Sequence, residues 1–254
     1  MAAKKSNKKS KREKPSVREL ILTAARELFA TVGYEAVTMR QIAQKIGYTP
    51  TTIYLHFKDK EQLIHDLCAQ DFLALAAEFQ HLNDIKDPVE RLCRLGLDYM
   101  AFGLQHPNHY RLLFMTPHPY RPPDKVMQIR RGNPAEDAYA FLRSTVIECM
   151  AGGYFRKEYR DPELVAQLHW ASIHGVTSLY IARGDDPWFT WRSPQALAEA
   201  MIDIMTAGMA TGNASVLKNA KNRSLAAFTE KSKTTKIEGK SRTTKKPMRK
   251  AHRG

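Results

Sequence analysis

Between Thr38 and Lys60 the chain reads TMRQIAQKIGYTPTTIYLHFKDK, two short helices set almost end to end. Thr38 and Gln41 form a capping box, in which the threonine hydroxyl serves the Gln41 N–H and the glutamine side chain reaches back to the Thr38 N–H. Met39, Ile42, Ala43 and Ile46 then fall on one face at helical spacing. Gly47 closes the helix, because glycine takes the left-handed conformation at little steric cost. One residue later Thr49 caps again, and Pro50 takes the first helical position, where a missing N–H costs nothing. The two helices meet across about three residues, the spacing of a helix-turn-helix. Ile53 and Phe57 stand four apart and face the first helix, which leaves Thr51, Thr52, Tyr54, Leu55 and His56 on the other faces. Small hydroxyls and two phosphate-reaching rings on the outside of such a helix point to double-stranded DNA.

The rest of the folded chain is also helical. Ser16 and Glu19 form a capping box for a helix with Ile21, Ala24, Ala25, Leu28, Phe29 and Val32 on one face, stopped by Gly33. Asp59 caps another, with Gln62 at the box position, and Leu63, Leu67, Phe72, Leu75, Phe79 and Leu82 extend it to about Asn83. Pro88 opens a helix through Leu92, Leu95, Tyr99 and Phe102 that His106-Pro107 breaks, and a short segment carries Tyr110, Leu113 and Phe114. Four prolines between Pro117 and Pro123 demand a loop. Asn133-Pro134 with Glu136 predicts the next helix start, and Gly152-Gly153 its stop. Asp161-Pro162 and Ser193-Pro194 open two last helices. No segment alternates with period two, so the expected class is all-α.

These motifs resemble the tetracycline-repressor-like (TetR) family of transcriptional regulators. The run GYTPTTIYLHFKDKEQL, Gly47 to Leu63, matches the family's glycine turn, its recognition helix ending in Tyr-x-His-Phe, and the following Lys-Glu. Ala25, Leu28, Phe29, Gly33, Tyr34 and Thr38 match its usual lead-in. Further on, LHWASIHG at Leu168–Gly175 and HPNHYRLLF at His106–Phe114 resemble a C-terminal subclass marked by Trp-x-x-x-His-Gly. The resemblance spans roughly residues 16–210 and implies a three-helix DNA-binding domain, 16–62, followed by a domain of about six helices, 63–212, for effector binding and dimerisation.

By that resemblance Thr38, Tyr54, His56 and Lys60 contact phosphates, while Thr49, Pro50, Thr51, Thr52 and Leu55 face bases. The last two helices would form a four-helix interface with a twin through Leu168, Ala171, Ser172, Gly175, Leu179, Leu197, Met201, Ile204 and Met205. Trp170 and His174, four apart, share one helix face. They are either packed core or one wall of an effector pocket completed by Phe72, Tyr99, Phe102, Leu104, Tyr110, Phe114, Met127, Tyr139 and Phe141, an apolar lining with phenolic handles suited to a small apolar or amphipathic effector. The function implied is a ligand-responsive regulator, a repressor most often in this family, binding a near-palindromic operator as a homodimer.

Charge is concentrated at the ends. The net charge is +14, of which residues 1–14 hold +6 and residues 214–254 hold +11, leaving −3 on residues 15–213. The tails 1–15 and 213–254 are too poor in large apolar residues to fold alone and are expected to be disordered. They raise an alternative function, an architectural protein that coats DNA nonspecifically through its lysines and arginines. Cys68, Cys93 and Cys149, odd in number and widely spaced, suit buried thiols in a reducing cytoplasm, at the bacterial nucleoid. Nothing matches a phosphate loop, a nucleophile elbow or a zinc motif, so no enzyme activity, cofactor or metal is expected. His106, His109 and His118 border the Pro-rich loop without a carboxylate close by in sequence. No apolar run is long enough to span a membrane.

Overall fold

The computed structural model describes residues 14–119, 130–211 and 222. Met127 of the pocket set, the loop beyond Pro119 and nearly all of both tails lie outside the described residues. Among those described, nine α-helices follow one another: α1 (Val17–Val32), α2 (Met39–Ile46), α3 (Pro50–His56), α4 (Lys60–Phe79), α5 (Pro88–Gln105), α6 (Pro107–Phe114), α7 (Ala138–Ala151), α8 (Pro162–Arg183) and α9 (Pro194–Met209). A 3-10 turn, Gln80–Asp84, extends α4, and one antiparallel bridge pairs Phe155 with Ala210. The protein is all-α, and no described helix is long and apolar enough to cross a membrane. Two compact units share the chain: Met1–Ala69 with Arg111–Met127, and Gln70–Tyr110 with Gln128–Gly254. The division falls inside α4, after Ala69.

In the first unit the caps set the helices where the sequence places them. Ser16 N donates to Glu19 Oε2 at 2.7 Å, and Glu19 N donates to Ser16 Oγ at 3.2 Å. Thr38 and Gln41 repeat the exchange at 2.7 and 3.2 Å. Gly47 has φ 74° and ψ 28°, a left-handed conformation that any Cβ would strain, and its N–H reaches back to the Ala43 carbonyl. Ile21, Ala25, Phe29, Ile42, Ala43, Ile53, Phe57, Leu63, Ile64 and Leu67 form the buried core of α1–α4. The buried face of α1 differs from the expected one: Leu22 is buried, whereas Val32 is exposed. Val32 ends the helix one residue before Gly33, past the reach of its partners. Arg18 ties the start of α1 to α4, with its guanidinium 2.8 Å from Asp66 Oδ2 and 5.1 Å from the Phe57 ring centre.

The second unit is built on α5, which packs against α7, α8 and α9. Every residue from Leu92 to Met100 is buried, so α5 is surrounded rather than resting on one face. That burial includes charge. Arg94 Nε donates to Asp98 Oδ1 at 3.0 Å one turn on, and His81 Nε2 lies 3.0 Å from Asp98 Oδ2. Gly103 permits a close approach of α5 to α6 and α8: a Cβ there would stand 2.5 Å from Thr177 Cγ2 and 2.8 Å from Tyr110 Cδ2. Two expectations are corrected. The helix predicted to begin at Asn133-Pro134 begins instead after Asp137, whose Oδ1 accepts from Tyr139 N and Ala140 N at 3.0 Å each. Asn133 makes a local turn with Ala135 N, and Glu136 is bound to Arg130, so neither serves the helix. His109 also has the carboxylate that sequence proximity did not show: its Nδ1 is 3.0 Å from Asp71 Oδ1, which is buried on α4.

Candidate nucleic-acid interface

Helix α3 divides its residues sharply between two environments. Ile53 and, just past the helix end, Phe57 are completely enclosed, which fixes the helix against α2 and turns its other faces outward. Leu55 is 79% exposed and Tyr54 55%, while Pro50, Thr51 and His56 are exposed as well. A leucine so open to water, one residue before the end of α3, contributes nothing to the core that holds the helix. The Thr49 hydroxyl accepts the Thr52 N–H at 3.4 Å and lies 3.1 Å from the Thr52 hydroxyl, so these two threonines also shape the helix start.

Among the residues expected at phosphates, Thr38 sits exposed at the cap of α2 with its hydroxyl engaged by Gln41. Lys60 differs from the expectation. Its Nζ donates to the carbonyls of Tyr34, at 2.9 Å, and Val37, at 3.1 Å, reaches that of Glu35 at 3.5 Å, and lies 4.3 Å from the Tyr34 ring centre. An ammonium has three donors. Lys60 thus fastens the α1–α2 connection to α4, and a phosphate contact would require it to release a carbonyl.

The sequence reading omitted three exposed groups nearby: Tyr48, Arg40 and Lys58. Tyr48 lies inside the turn between α2 and α3, with no helix face on which to bury itself, and that position was the available signal. Arg40 and Lys58 follow the cap of α2 and the end of α3, and they supply positive charge at both ends of the motif.

In the second unit four members of the expected pocket set converge on one another. The Trp170 indole N–H donates to Tyr99 Oη at 3.0 Å, Tyr99 O–H donates to Tyr110 Oη at 3.1 Å, and Tyr110 Oη lies 2.7 Å from His174 Nδ1. An indole only donates, so Trp170 is the donor to Tyr99, and His174 Nδ1 lies within reach of both phenols, 3.3 Å from Tyr99 Oη as well. Burial pushes the Tyr99 phenol up to about 12 and Tyr110 upward too, and it lowers His174, so all three are uncharged near neutrality. Tyr139 is close, its ring centre 6.0 Å from Trp170, and its hydroxyl donates to Glu163 at 2.6 Å. The remaining members lie apart: Phe102 beside His106 and His109, Phe141 against Phe79, Phe72 half-buried, and Phe114 within the first unit.

Helices α8 and α9 pack together and leave an apolar face outward. Leu168, Leu179 and Ile204 are exposed on it, with Ala171; Ser172, Gly175, Leu197, Met201 and Met205 are half-buried. The three cysteines are buried and free, and burial drives the Cys149 thiol well above its ordinary range.

Comparisons with known proteins follow this geometry. Residues 21–67 match the family described as bacterial regulatory proteins, tetR family, and residues 92–205 match the tetracyclin repressor-like C-terminal domain. The chain is 30% identical over 90 residues to the HTH-type transcriptional regulator SAR2658 of Staphylococcus aureus (strain MRSA252), covering 35% of this chain and 49% of that protein. It is 32% identical over 97 residues to the HTH-type transcriptional regulator UidR of Escherichia coli (strain K12), covering 38% and 45%. It thus spans about half the length of the curated relatives it matches. Among solved structures, the regulator FadR of Bacillus subtilis in complex with stearoyl-CoA aligns with a TM-score of 0.61 at 17% identity, over 75% of this chain and 98% of that one. SmeT, the repressor of a Stenotrophomonas maltophilia efflux pump, aligns at 0.56 and 18%, over 78% and 92%. At such identities the likeness is one of fold.

Proposed function

This chain belongs to the TetR family of bacterial regulatory proteins, and on that premise we propose that it is a cytoplasmic, homodimeric repressor of transcription that releases DNA on binding a small apolar or amphipathic effector. The relatives it matches are regulators, not enzymes. The observation that carries the DNA-binding reading is α3 itself, anchored by Ile53 and Phe57 and offering Thr51, Tyr54, Leu55 and His56 to the outside. An α-helix fits the major groove, where small hydroxyls and an apolar tip meet base edges and the thymine methyl. Tyr54, His56 and Thr38 would take phosphates, setting the register without reading sequence. Lys60 would act mainly by holding the turn before α2 in place. A twin joined through the exposed face of α8 and α9 would place a second α3 roughly 34–36 Å away, one DNA turn, so the operator would be near-palindromic.

Regulation would run along α4, whose first half belongs to one unit and whose second half belongs to the other. An effector held in the second unit shifts the equilibrium only by its difference in affinity between DNA-competent and DNA-incompetent arrangements. The Tyr99–Tyr110–Trp170–His174 cluster supports a role near that site, as a group of uncharged polar side chains gathered among the apolar faces of α5, α6 and α8. The test is a panel of variants against a library of operator sequences. Tyr54→Phe should weaken binding to every sequence by a similar factor, whereas Thr51→Ala or Thr52→Ala should change which base is preferred at one position of each half-site. A Tyr54→Phe protein with altered preference and undiminished overall binding would overturn these roles.

A further inference from the structure

Beyond the helix face of α8 and α9, the loop between them carries the most exposed aromatic surface among the described residues. Trp188 is 86% exposed and Phe189 53%. The backbone at Trp188 is fixed by a hydrogen bond, and the Phe189 ring is packed. Asp186 Oδ1 accepts the Trp188 N–H at 2.9 Å, and Phe189 packs on Trp191 at 5.3 Å between ring centres. Trp191 in turn packs on Tyr180 at 5.1 Å. Leu179, the last large exposed residue of the α8 face, stands one turn before the helix ends at Arg183 and this loop begins.

We infer that the α8–α9 loop is an arm that docks on a second copy of this chain, adding Trp188 and Phe189 to the dimer contact. The inference rests on the dimer reading given above and extends it beyond the helices. Area supports it. At their exposures the two rings hold roughly 300 Å² of aromatic surface, a large share of the ~800 Å² that each partner buries in a standard stable interface. Large aromatic side chains at the end of an apolar stripe are also the usual make-up of an interface anchor. A second copy presents the same stripe and the same arm, so a two-fold contact buries both arms at once.

The test follows Trp188 through dilution of the full-length protein, with analytical ultracentrifugation reporting the dimer fraction at each concentration. The difference in fluorescence between the native chain and Trp188→Phe isolates the emission of Trp188. It should shift to the blue and lose accessibility to iodide in step with dimer formation, and Trp188→Ala should raise the dimer dissociation constant at least tenfold. Ile204→Asp serves as the control on the helix face. If Ile204→Asp breaks the dimer while Trp188→Ala changes its dissociation constant less than twofold and Trp188 stays equally solvated, the arm is overturned and the dimer reading survives. Shielding of Trp188 that does not change on dilution to monomer places the chain's own residues over it and also overturns the arm. A monomer at every concentration overturns both.

Discussion

Helices α3 and α8 carry the two most distinctive stretches of this sequence and use them in opposite ways. In α3 the distinctive side chains, Tyr54, Leu55 and His56, stand in water, and the core needs only Ile53 and the neighbouring Phe57. In α8 the distinctive pair, Trp170 and His174, turns toward Tyr99 and Tyr110, and its polar atoms are joined with theirs into one hydrogen-bonded cluster. Aromatic and imidazole groups thus stand free of the core in one helix and are tied into it in the other. On the proposed function, substitution should cost binding but little stability in α3 and should cost stability in α8.

The comparison can be broken most forcefully at the boundary of α3 itself. Phe57→Ala empties a fully enclosed site and should cost about 3–5 kcal/mol in urea unfolding, with loss of DNA binding as a consequence of unfolding. Next comes α8, through His169. Burial lowers this imidazole from an ordinary value near 6.5 to about 4. Between those two values the unfolded chain holds a proton that the folded chain does not. The neutral form's contribution is therefore complete above about pH 6.5 and falls as pH drops toward 4, by about 3 kcal/mol in all. His169→Gln should flatten that part of the stability profile in urea titrations at pH 7 and pH 4.5; an unchanged slope would show that another group governs the acid limb. Tyr110→Phe is a smaller perturbation. It removes the bond that Tyr99 O–H donates and the Tyr110–His174 bond but leaves Tyr99 Oη 3.3 Å from His174 Nδ1, so it should cost about 1 kcal/mol, measured as a lower midpoint. Smallest is Leu55→Ala, expected to leave stability within about 0.5 kcal/mol while reducing operator affinity, which anisotropy titration would read.

The sequence was most informative where the deciding interactions are local. Thr38 with Gln41, Gly47, and Thr49 with Pro50 bound α2 and α3 because each acts within a few residues of itself. Local chemistry misplaced the start of α7 because Asn133, Glu136 and Asp137 all offer side chains suited to a helix start, and only the structure shows that Arg130 occupies Glu136 and that Asp137 caps. The environment of Lys60 was hidden for a different reason. Its partners are main-chain carbonyls some twenty-five residues away, and carbonyls have no signature in a sequence. The same holds for Asp71 with His109, and for the hydrogen bonds among Tyr99, Tyr110, Trp170 and His174, which the sequence grouped as either core or pocket wall without showing that their polar atoms meet. The exposure of Trp188 and Phe189 was equally unreadable, since an apolar pair in a loop has no periodicity to assign it inward or outward.

The central claim is that α3 reads DNA sequence and that two copies read it together. Selection of bound sequences from random DNA tests this most directly, with the full-length protein and a chain of residues 15–213 in parallel at moderate salt. The account predicts that both enrich the same inverted repeat, with half-sites about one helical turn apart, and that the shorter chain binds more weakly because it lacks the basic tails. If the full-length protein enriches no sequence and the shorter chain does not bind, the tails alone account for the affinity for DNA and the claim fails.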